Sequence, residues 1–512
     1  MNTNRYQVEN KRIVKNSIAM TIRLVVMVLI GLYTSRVVLD ILGVVDYGTY
    51  NVVAGFVTMF YMFINFFVSS CQRFISYALG KSDPKLLKNV FSTIQIVTIV
   101  GAVLLLAIAL PLTDFLIEDL LVIPDARWSA ARFVFICSVM TMALTVIAQP
   151  YIALIIAHEK IGFYSIICIV EYLVKLLGIM SMQYIDYKCD NLKLYALMLL
   201  VVAVVVRITY SVYSKHKFEE SRFQYIFDKN LLRKVFSFSF WIGCGTVGGI
   251  IKDQSGNILL NLFYGVSLNA AKGVAQQIQG VFNQIGNNLT IPISPQITKS
   301  YAAGDVNRSV SLTLLLAKVQ GYILTAFAIP IILEADFILN LWLKNPPEHA
   351  SLFVRWTLVL CILQAVSNAY GPLYLAVGRL KKLQILTFCI NITLIPVLYI
   401  TYHFGAPPIA VLYCMTLYQL MIMVLSYWNL STYVKFPLVK FYLDVAVRLI
   451  FIAVITFLLG TFLVHINNEP TFGRLIIDTI ITVAMFCSMT YFFGLNVHER
   501  EEIKVIYKKE RR

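Results

Sequence analysis

The sequence consists of apolar segments of about twenty residues, separated by short polar stretches. A helix of that length rises about 30 Å, which matches the hydrocarbon thickness of a bilayer. Only 14% of the 512 residues are charged, whereas soluble proteins carry about 25%. These features predict an all-α polytopic membrane protein and exclude a water-soluble domain.

Fourteen of the apolar segments have the length of a transmembrane helix. We therefore predict about 14 transmembrane helices. The predicted spans cover residues 13–34, 47–70, 86–112, 129–157, 161–183, 194–213, 236–262, 267–294, 310–333, 351–378, 383–403, 408–432, 443–465 and 472–494.

The 43 lysine and arginine residues are divided unevenly between the two sides that this topology defines. The side with the N-terminus carries 28 of them, the opposite side carries six, and nine lie within spans. Cytoplasmic loops of membrane proteins are enriched in Lys and Arg, so we predict that both termini are cytoplasmic. The net charge of +16 is then mainly a topology signal, and we expect no nucleic-acid partner.

The cysteine and histidine patterns argue against a metal centre. None of the nine cysteines forms a CxxC pair, and the six histidines lie in loops or at span ends. A thiol inside a span behaves as a small apolar group. We predict no disulfide, no metal site and no cofactor.

Several landmarks recur along the chain at a spacing of 222 residues. Gly43 corresponds to Gly265, and Pro150 to Pro372. With a slip of two residues, the segment QRFISYALG at 72–80 corresponds to QITKSYAAG at 296–304. Such recurrence is typical of transporters that are built from two related halves.

The repeat predicts two six-helix lobes around a central cavity, plus two C-terminal helices. The N-terminal lobe is predicted at 1–213, a cytoplasmic linker at 214–235 and the C-terminal lobe at 236–432, while 433–512 holds two additional helices and a basic cytoplasmic tail. Six spans return the chain to its starting side, so the repeat is parallel. Rocking of one half against the other would open the cavity alternately to each side.

Charged residues within spans are functional candidates, because one at a helix centre costs about 2.5–3.5 kcal/mol on insertion scales. Arg23 and Lys252 lie deepest, each on the opening helix of a predicted lobe. Asp253 offers an alternative interpretation in which it neutralises Lys252. Glu171 and Lys175 are four residues apart on one helix, which suits either a structural ion pair or an ion-coupling site.

The other intramembrane cations lie near a membrane face. Long basic side chains at such positions extend to the lipid headgroups, and we expect this of most of them. They are Arg132, Arg207, Lys272, Lys318, Arg355 and Arg448.

Basic residues outnumber acidic ones within the spans, so a cavity lined by them would hold a positive potential. The expected guest is an anion. Arginine can bind two phosphate oxygens at once, and lysine supplies a compact charge, which suits a phosphate or diphosphate group.

The span at 267–294 is rich in side-chain amides. Gln276, Asn283 and Asn287 share one helical face, and Gln284 lies on the adjacent face. These amides either hydrogen-bond to neighbouring helices or line a water-filled wall that binds a hydroxyl-rich cargo. Their number favours the second interpretation.

Two further segments carry recognisable motifs. Residues 35–48 read SRVVLDILGVVDYG, and residues 269–275 read NAAKGVA, followed by PQI at 295–297 and KSY at 299–301. They resemble the polysaccharide (Wzx-type) flippase branch of the multidrug/oligosaccharidyl-lipid/polysaccharide exporter superfamily. The second motif usually has arginine where this chain has Lys272, which adds Lys272 to the candidate substrate-binding residues. Cavity arginines are typical of this branch, and Arg23 and Arg36 are the positions that match.

The resemblance implies that the chain flips polyprenyl-diphosphate-linked oligosaccharide units to the outer leaflet of the bacterial inner membrane. The product would be lipopolysaccharide O-antigen, capsule or another surface polysaccharide. Membrane lipid is an implied partner, as are a polysaccharide polymerase and other surface-glycan machinery. In related lipid flippases the last two spans form a groove for the lipid tail, a role that 443–465 and 472–494 would take.

The alternative is an ion-coupled multidrug or organic-cation antiporter of the same superfamily. Such a carrier is expected to place a carboxylate in its N-terminal cavity, where this chain has Arg23. Glu171, Lys175 and Asp253 are the candidate coupling residues. A membrane enzyme is disfavoured, because the longest extracytoplasmic segments, 113–128 and 334–350, are short and hold no catalytic constellation.

Overall fold

The computed structural model describes residues 2–120, 123–184, 190–222, 228–343, 346–466, 471–496 and 499–500. Over these ranges the chain is almost entirely helical and has no strand, which confirms the predicted all-α class. The predicted basic tail lies largely outside the described residues. The α-helices are α1 (Asn2–Gly80), α2 (Pro84–Ala109), α3 (Trp128–Ala157), α4 (Ile161–Tyr184), α5 (Asn191–Lys217), α6 (Lys229–Tyr264), α7 (Val266–Ala302), α8 (Val306–Leu333), α9 (Ala335–Leu343), α10 (Ala350–Asn368), α11 (Gly371–Val377), α12 (Lys381–His403), α13 (Ala410–Ser431), α14 (Leu438–Phe441), α15 (Arg448–Ile466) and α16 (Phe472–Met489).

Twelve helical segments of the described chain are long and apolar enough to cross a membrane. They coincide with twelve of the fourteen predicted spans. The other two predicted spans, 47–70 and 267–294, are helical and lie in α1 and α7. The helix α7 is long enough to cross a bilayer but is rich in amides, which lowers its hydropathy.

The outer faces of the helices carry many large apolar side chains. Leu262 on α6, Leu177 on α4 and Phe462 on α15 are all exposed. In water such surfaces would be unfavourable, whereas in lipid they are at no disadvantage. Their exposure supports a multi-pass membrane protein.

The chain divides into two compact units, Arg12–Gly243 and Met1–Lys11 with Cys244–Arg512, which we call the N-terminal and C-terminal units. The division falls within α6, downstream of the predicted linker. In the N-terminal unit α3 packs against α2 and α5, and α4 packs against α5. Its core includes the fully buried side chains of Phe135 and Leu192.

In the C-terminal unit α7 packs against α8, α10 and α11, while α12 packs against α13. The core includes the fully buried Phe353 and Leu394. The helices α15 and α16 pack against each other and against α8. The two additional C-terminal helices are therefore attached to this unit through α8.

The predicted repeat has a counterpart in the backbone. Gly43 interrupts α1 with φ 75° and ψ 171°, and Gly265 separates α6 from α7 with φ 79° and ψ −172°. This region of backbone space is essentially restricted to glycine. Asp83 and Asp305, also 222 residues apart, both cap the helices that follow them, α2 and α8. These matches support a structural repeat.

Candidate functional site

The first candidate residue, Arg23, lies on α1 and is only 9% exposed. Its Nη1 donates a hydrogen bond to Cys168 Sγ at 3.5 Å, and its guanidinium lies 5.0 Å from the ring centroid of Tyr164. Cys168 Sγ is in turn 3.7 Å from the hydroxyl of Tyr210. We call Arg23, Tyr164, Cys168 and Tyr210 the N-terminal cluster. Three helices, α1, α4 and α5, hold this cation at a fixed place in the bundle.

Arg36 lies on the same helix as Arg23 but apart from it. The two residues are thirteen positions apart on α1, which corresponds to about 20 Å along the helix axis. Arg36 is exposed. The structure therefore does not bring these two candidates into one cluster.

Glu171 forms the predicted ion pair with Lys175, with 2.8 Å between Oε1 and Nζ. Its second oxygen, Oε2, accepts a hydrogen bond from Arg207 Nη1 at 3.3 Å. Arg207 also donates to Thr145 Oγ1 at 3.3 Å. One carboxylate thus serves two cations, and the group of Glu171, Lys175 and Arg207 carries one net positive charge.

Five of the remaining cations form ion pairs within the protein, some with carboxylates on the same helix and others with carboxylates that are remote in sequence. Lys318, for example, has a side chain that is only 7% exposed. The pairs are Arg132 with Asp114, Arg207 with Glu171, Lys318 with Glu499, Arg355 with Asp336 and Arg448 with Asp444. Whether these side chains also extend to the headgroups stays a prediction.

In the C-terminal unit, Lys252 is buried on α6. Its Nζ lies 3.9 Å from Asp253 Oδ1, and the Asp253 side chain is 51% exposed. Neighbouring residues on a helix point about 100° apart, which explains the long contact. Asp253 therefore neutralises Lys252 only weakly.

Lys272, on α7, is 3% exposed. Within the described part of the chain its Nζ donates no hydrogen bond. The ammonium lies against Gly256 of α6, where an added Cβ would come within 2.8 Å of Nζ and 3.1 Å of Val411 Cγ2. Lys252 and Asp253 are near enough to act on it electrostatically. The expectation that Lys272 reaches the headgroups is therefore wrong.

The amides of α7 continue from Lys272 as a polar stripe. Gln276 Nε2 donates to Asn257 Oδ1 on α6 at 3.4 Å. Asn283, Gln284 and Asn287 are exposed on the following turns. We define the α7 stripe as Lys272, Gln276, Asn283 and Asn287, which together cover about 22 Å of helix.

The amides of α7 differ in their surroundings: some link helices, and others are exposed. Gln279 Nε2 donates to Gln364 Oε1 on α10 at 3.4 Å, and Gln276 bonds to α6, so these two link helices. Asn283 and Asn287 present their side chains at the surface of the unit.

The residues around Arg23 are not among the candidates that the sequence indicated. Tyr164 and Cys168 are four positions apart on α4, so they share a helical face. This spacing was the available signal. Their partner Tyr210 is remote in sequence and is brought near by packing of α4 against α5.

Comparison with solved structures shows the fold of a transporter class. A MATE structure determined in complex with MaL6 has a TM-score of 0.70 and 15% identity, covering 83% of this chain and 97% of its own. An outward-facing multidrug resistance MATE family transporter of the MOP superfamily has a TM-score of 0.69 and 15% identity, covering 84% and 97%. A MOP superfamily transporter from Pyrococcus furiosus, described by the reverse polarity of its binding pocket, has a TM-score of 0.68 and 15% identity, covering 82% and 94%.

Comparison with protein families identifies the chain more closely. The family described as polysaccharide biosynthesis protein matches residues 13–298, more than half of the chain. The chain belongs to this family, which confirms the resemblance carried by its sequence motifs. Comparison of the sequence with curated proteins gives no match.

Proposed function

We propose that the protein is a flippase for polyprenyl-diphosphate-linked oligosaccharide, moving it from the cytoplasmic to the outer leaflet of the bacterial inner membrane. The product would serve O-antigen, capsule or another surface polysaccharide, and both termini would be cytoplasmic. Family membership and the transporter fold support this proposal. The observation that carries it is the buried ammonium of Lys272, which has no hydrogen-bond acceptor in the described chain.

A buried ammonium without a hydrogen-bond acceptor is unfavourable, so a ligand that supplies an acceptor would stabilise Lys272. Phosphate oxygens are strong acceptors for an ammonium at about 2.8 Å. Lys252 adds a second positive charge in the same region, and Asp253 offsets it only weakly. A diphosphate would satisfy both lysines, and Arg23 is the corresponding cation of the N-terminal unit.

The glycan and the lipid have separate binding requirements. Side-chain amides donate and accept hydrogen bonds, which suits sugar hydroxyls along the α7 stripe. The polyprenyl chain needs only an apolar surface, and α15 and α16 carry exposed apolar side chains such as Ile450 and Ile480. Movement by alternating access needs no covalent chemistry, and a polysaccharide polymerase would use the product.

A flipping assay tests this proposal directly. The purified protein is reconstituted into vesicles with a fluorescent polyprenyl-diphosphate oligosaccharide, and exposure of the glycan to an external glycosidase is followed over time. We expect flipping by the native protein and at least a tenfold loss in Arg23→Met, Lys252→Met and Lys272→Met. Lys85→Gln, at an exposed position in the first turn of α2, is the matched control and should retain activity.

Absence of flipping by the native protein, or normal flipping in all three variants, would overturn the proposal. A cellular readout is complementary: Arg23→Ala and Lys252→Ala should insert normally but abolish surface glycan, with lipid-linked units accumulating in the inner leaflet.

An ion-coupled antiporter of organic cations is the second candidate, favoured by the multidrug MATE transporters among the similar structures. Glu171 is its best coupling residue, but both carboxylate oxygens already contact cations. Export of organic cations that depends on Glu171 or Asp253, without glycan flipping, would establish this alternative.

A further inference from the structure

A cavity of about 360 Å³ lies within the N-terminal unit, and none of the residues of the N-terminal cluster forms its wall. Its wall is formed by α1 on both sides of Gly43 and by α3, α4 and α5. The volume corresponds to about twelve water molecules at about 30 Å³ each, and it falls in the range of small-ligand sites.

The wall of this cavity combines aromatic rings with hydroxyl groups. Tyr50 and Tyr195 pack edge to face, with ring centroids 5.0 Å apart. Aromatic faces contact the apolar faces of ligands, while hydroxyls donate and accept hydrogen bonds. The hydroxyl-bearing residues of the wall are Thr34, Tyr47, Tyr50, Thr141, Tyr172 and Tyr195.

Lys175 is the charged residue among those that form the wall. Its partner Glu171 also contacts Arg207 through its other oxygen. The three groups share one net positive charge, and Lys175 is the member of the group that lies on the cavity wall. The cavity thus offers one cation, several hydroxyls and aromatic surface.

We propose that this cavity binds one acidic sugar residue of the transported oligosaccharide, with the sugar carboxylate on Lys175 and its ring among the tyrosines. A carboxylate matches the excess charge, and the sugar hydroxyls match the tyrosine and threonine hydroxyls. A neutral sugar would leave the charge unmet, and an inorganic anion would leave the aromatic wall unused. The assignment rests on the proposed function, since the lipid-linked glycan is the source of the sugar.

Binding of free sugars to the purified full-length protein tests the cavity without requiring transport. D-glucuronate is titrated calorimetrically, with D-glucose as the neutral counterpart and phosphate and chloride as inorganic anions. We expect glucuronate to bind at least tenfold more tightly than the other three. Lys175→Met should weaken glucuronate binding at least tenfold, and Tyr50→Phe should weaken it severalfold.

Lys193→Met is the matched control, because Lys193 pairs with Ser129 Oγ at 2.9 Å and is not part of the cavity wall. It should bind glucuronate like the native protein. If Lys175→Met does not fold, Lys175→Arg is measured in its place. Glucuronate binding that is retained in Lys175→Arg and weakened in Tyr50→Phe supports the site. Unchanged binding in Tyr50→Phe then argues against it.

Equal binding of glucose would overturn the acidic-sugar assignment, and equal binding of phosphate or chloride would make this an inorganic-anion site. Unchanged glucuronate affinity in folded Lys175→Met would also overturn it. The two proposals fail separately: lost sugar binding with intact flipping removes this site alone, whereas lost flipping with intact sugar binding contradicts the flippase function.

Discussion

Gly43 and Gly265 share one rare backbone conformation, with φ 75° and 79° and ψ 171° and −172°. They are 222 residues apart in sequence, at the spacing of the predicted repeat. Each ends one helical segment and begins the next, so that each half of the chain opens with two helices joined at a glycine. The repeat is therefore a property of the backbone as well as of the sequence.

Replacing either glycine should destabilise the protein through backbone strain alone. An added Cβ at Gly43 or Gly265 would meet no atom within 4 Å, so a steric clash is not involved. We expect Gly43→Ala and Gly265→Ala each to cost about 1–3 kcal/mol. The midpoint of thermal unfolding of the purified protein measures this loss.

Two other glycines, each one or two helical turns from Gly43 or Gly265, provide matched controls. Gly48 and Gly273 are helical and also have open space around them. Gly48→Ala and Gly273→Ala should be neutral or stabilising by about 0.5–1 kcal/mol, since alanine favours helices. An equal loss in all four variants would contradict the assigned role of the two positive φ angles.

Glu171 should matter more for stability than Lys175. Glu171→Gln leaves Lys175 and Arg207 as neighbouring cations without a carboxylate in a partly buried site, which should clearly lower the unfolding midpoint. Lys175→Met leaves the Glu171–Arg207 pair in place and should cost far less. Thermal unfolding of both variants checks the order, and a larger loss in Lys175→Met would refute it.

The attachment of α16 should depend on Arg474. Its Nη2 lies 2.6 Å from Glu334 Oε1 at the end of α8, and its Nε lies 3.4 Å from Asp478 Oδ2, with all three side chains buried. Arg474→Met removes this cation from two buried carboxylates, and we expect a loss of about 3–5 kcal/mol in unfolding measurements.

In the triple variant Arg474→Met, Glu334→Gln and Asp478→Asn, both carboxylates that contact Arg474 are replaced by neutral amides. The triple variant should recover much of the stability lost in the single variant, because burying neutral side chains requires less free energy than burying charged ones. Equal unfolding midpoints for the single and triple variants would show that charge is not the cause.

Glu220 should make stability depend on pH. It follows α5, where burial opposes its charge but the hydrogen bond with His158 Nε2 at 2.6 Å prevails and holds the pKa of Glu220 below its ordinary value. A lowered folded-state pKa stabilises the protein above the unfolded pKa of about 4.3, and this contribution is lost as the pH falls through the folded value.

We therefore expect Glu220→Gln to lower the unfolding midpoint at pH 7, and the difference from the native protein to shrink below about pH 4. Glu219→Gln is the matched control, because Glu219 is an exposed neighbour. A difference that stays constant down to pH 3.5 would contradict the role of the Glu220 charge.

Local features of the sequence were sufficient to predict the spans and the repeat. Apolar length alone placed the twelve membrane-crossing segments, and the i,i+4 spacing of Glu171 and Lys175 predicted their ion pair. The partners of Arg23 and Arg207 were not predictable in this way. Tyr164, Cys168 and Glu171 are remote from them in sequence, and only the packing of α4 against its neighbours determines these contacts.

The sequence by itself determined that this chain is a helical membrane protein with a repeated architecture. Apolar segments must be long enough to cross the bilayer, and glycine recurs at positions whose backbone conformation other residues rarely adopt. Only the tertiary structure decided which charges are satisfied. Lys318 lies against Glu499, which is 181 residues away in sequence, whereas Lys272 is buried beside Gly256. The physical reason is that the free energy of burying a charged side chain depends on the groups around it, and helix packing determines which groups those are.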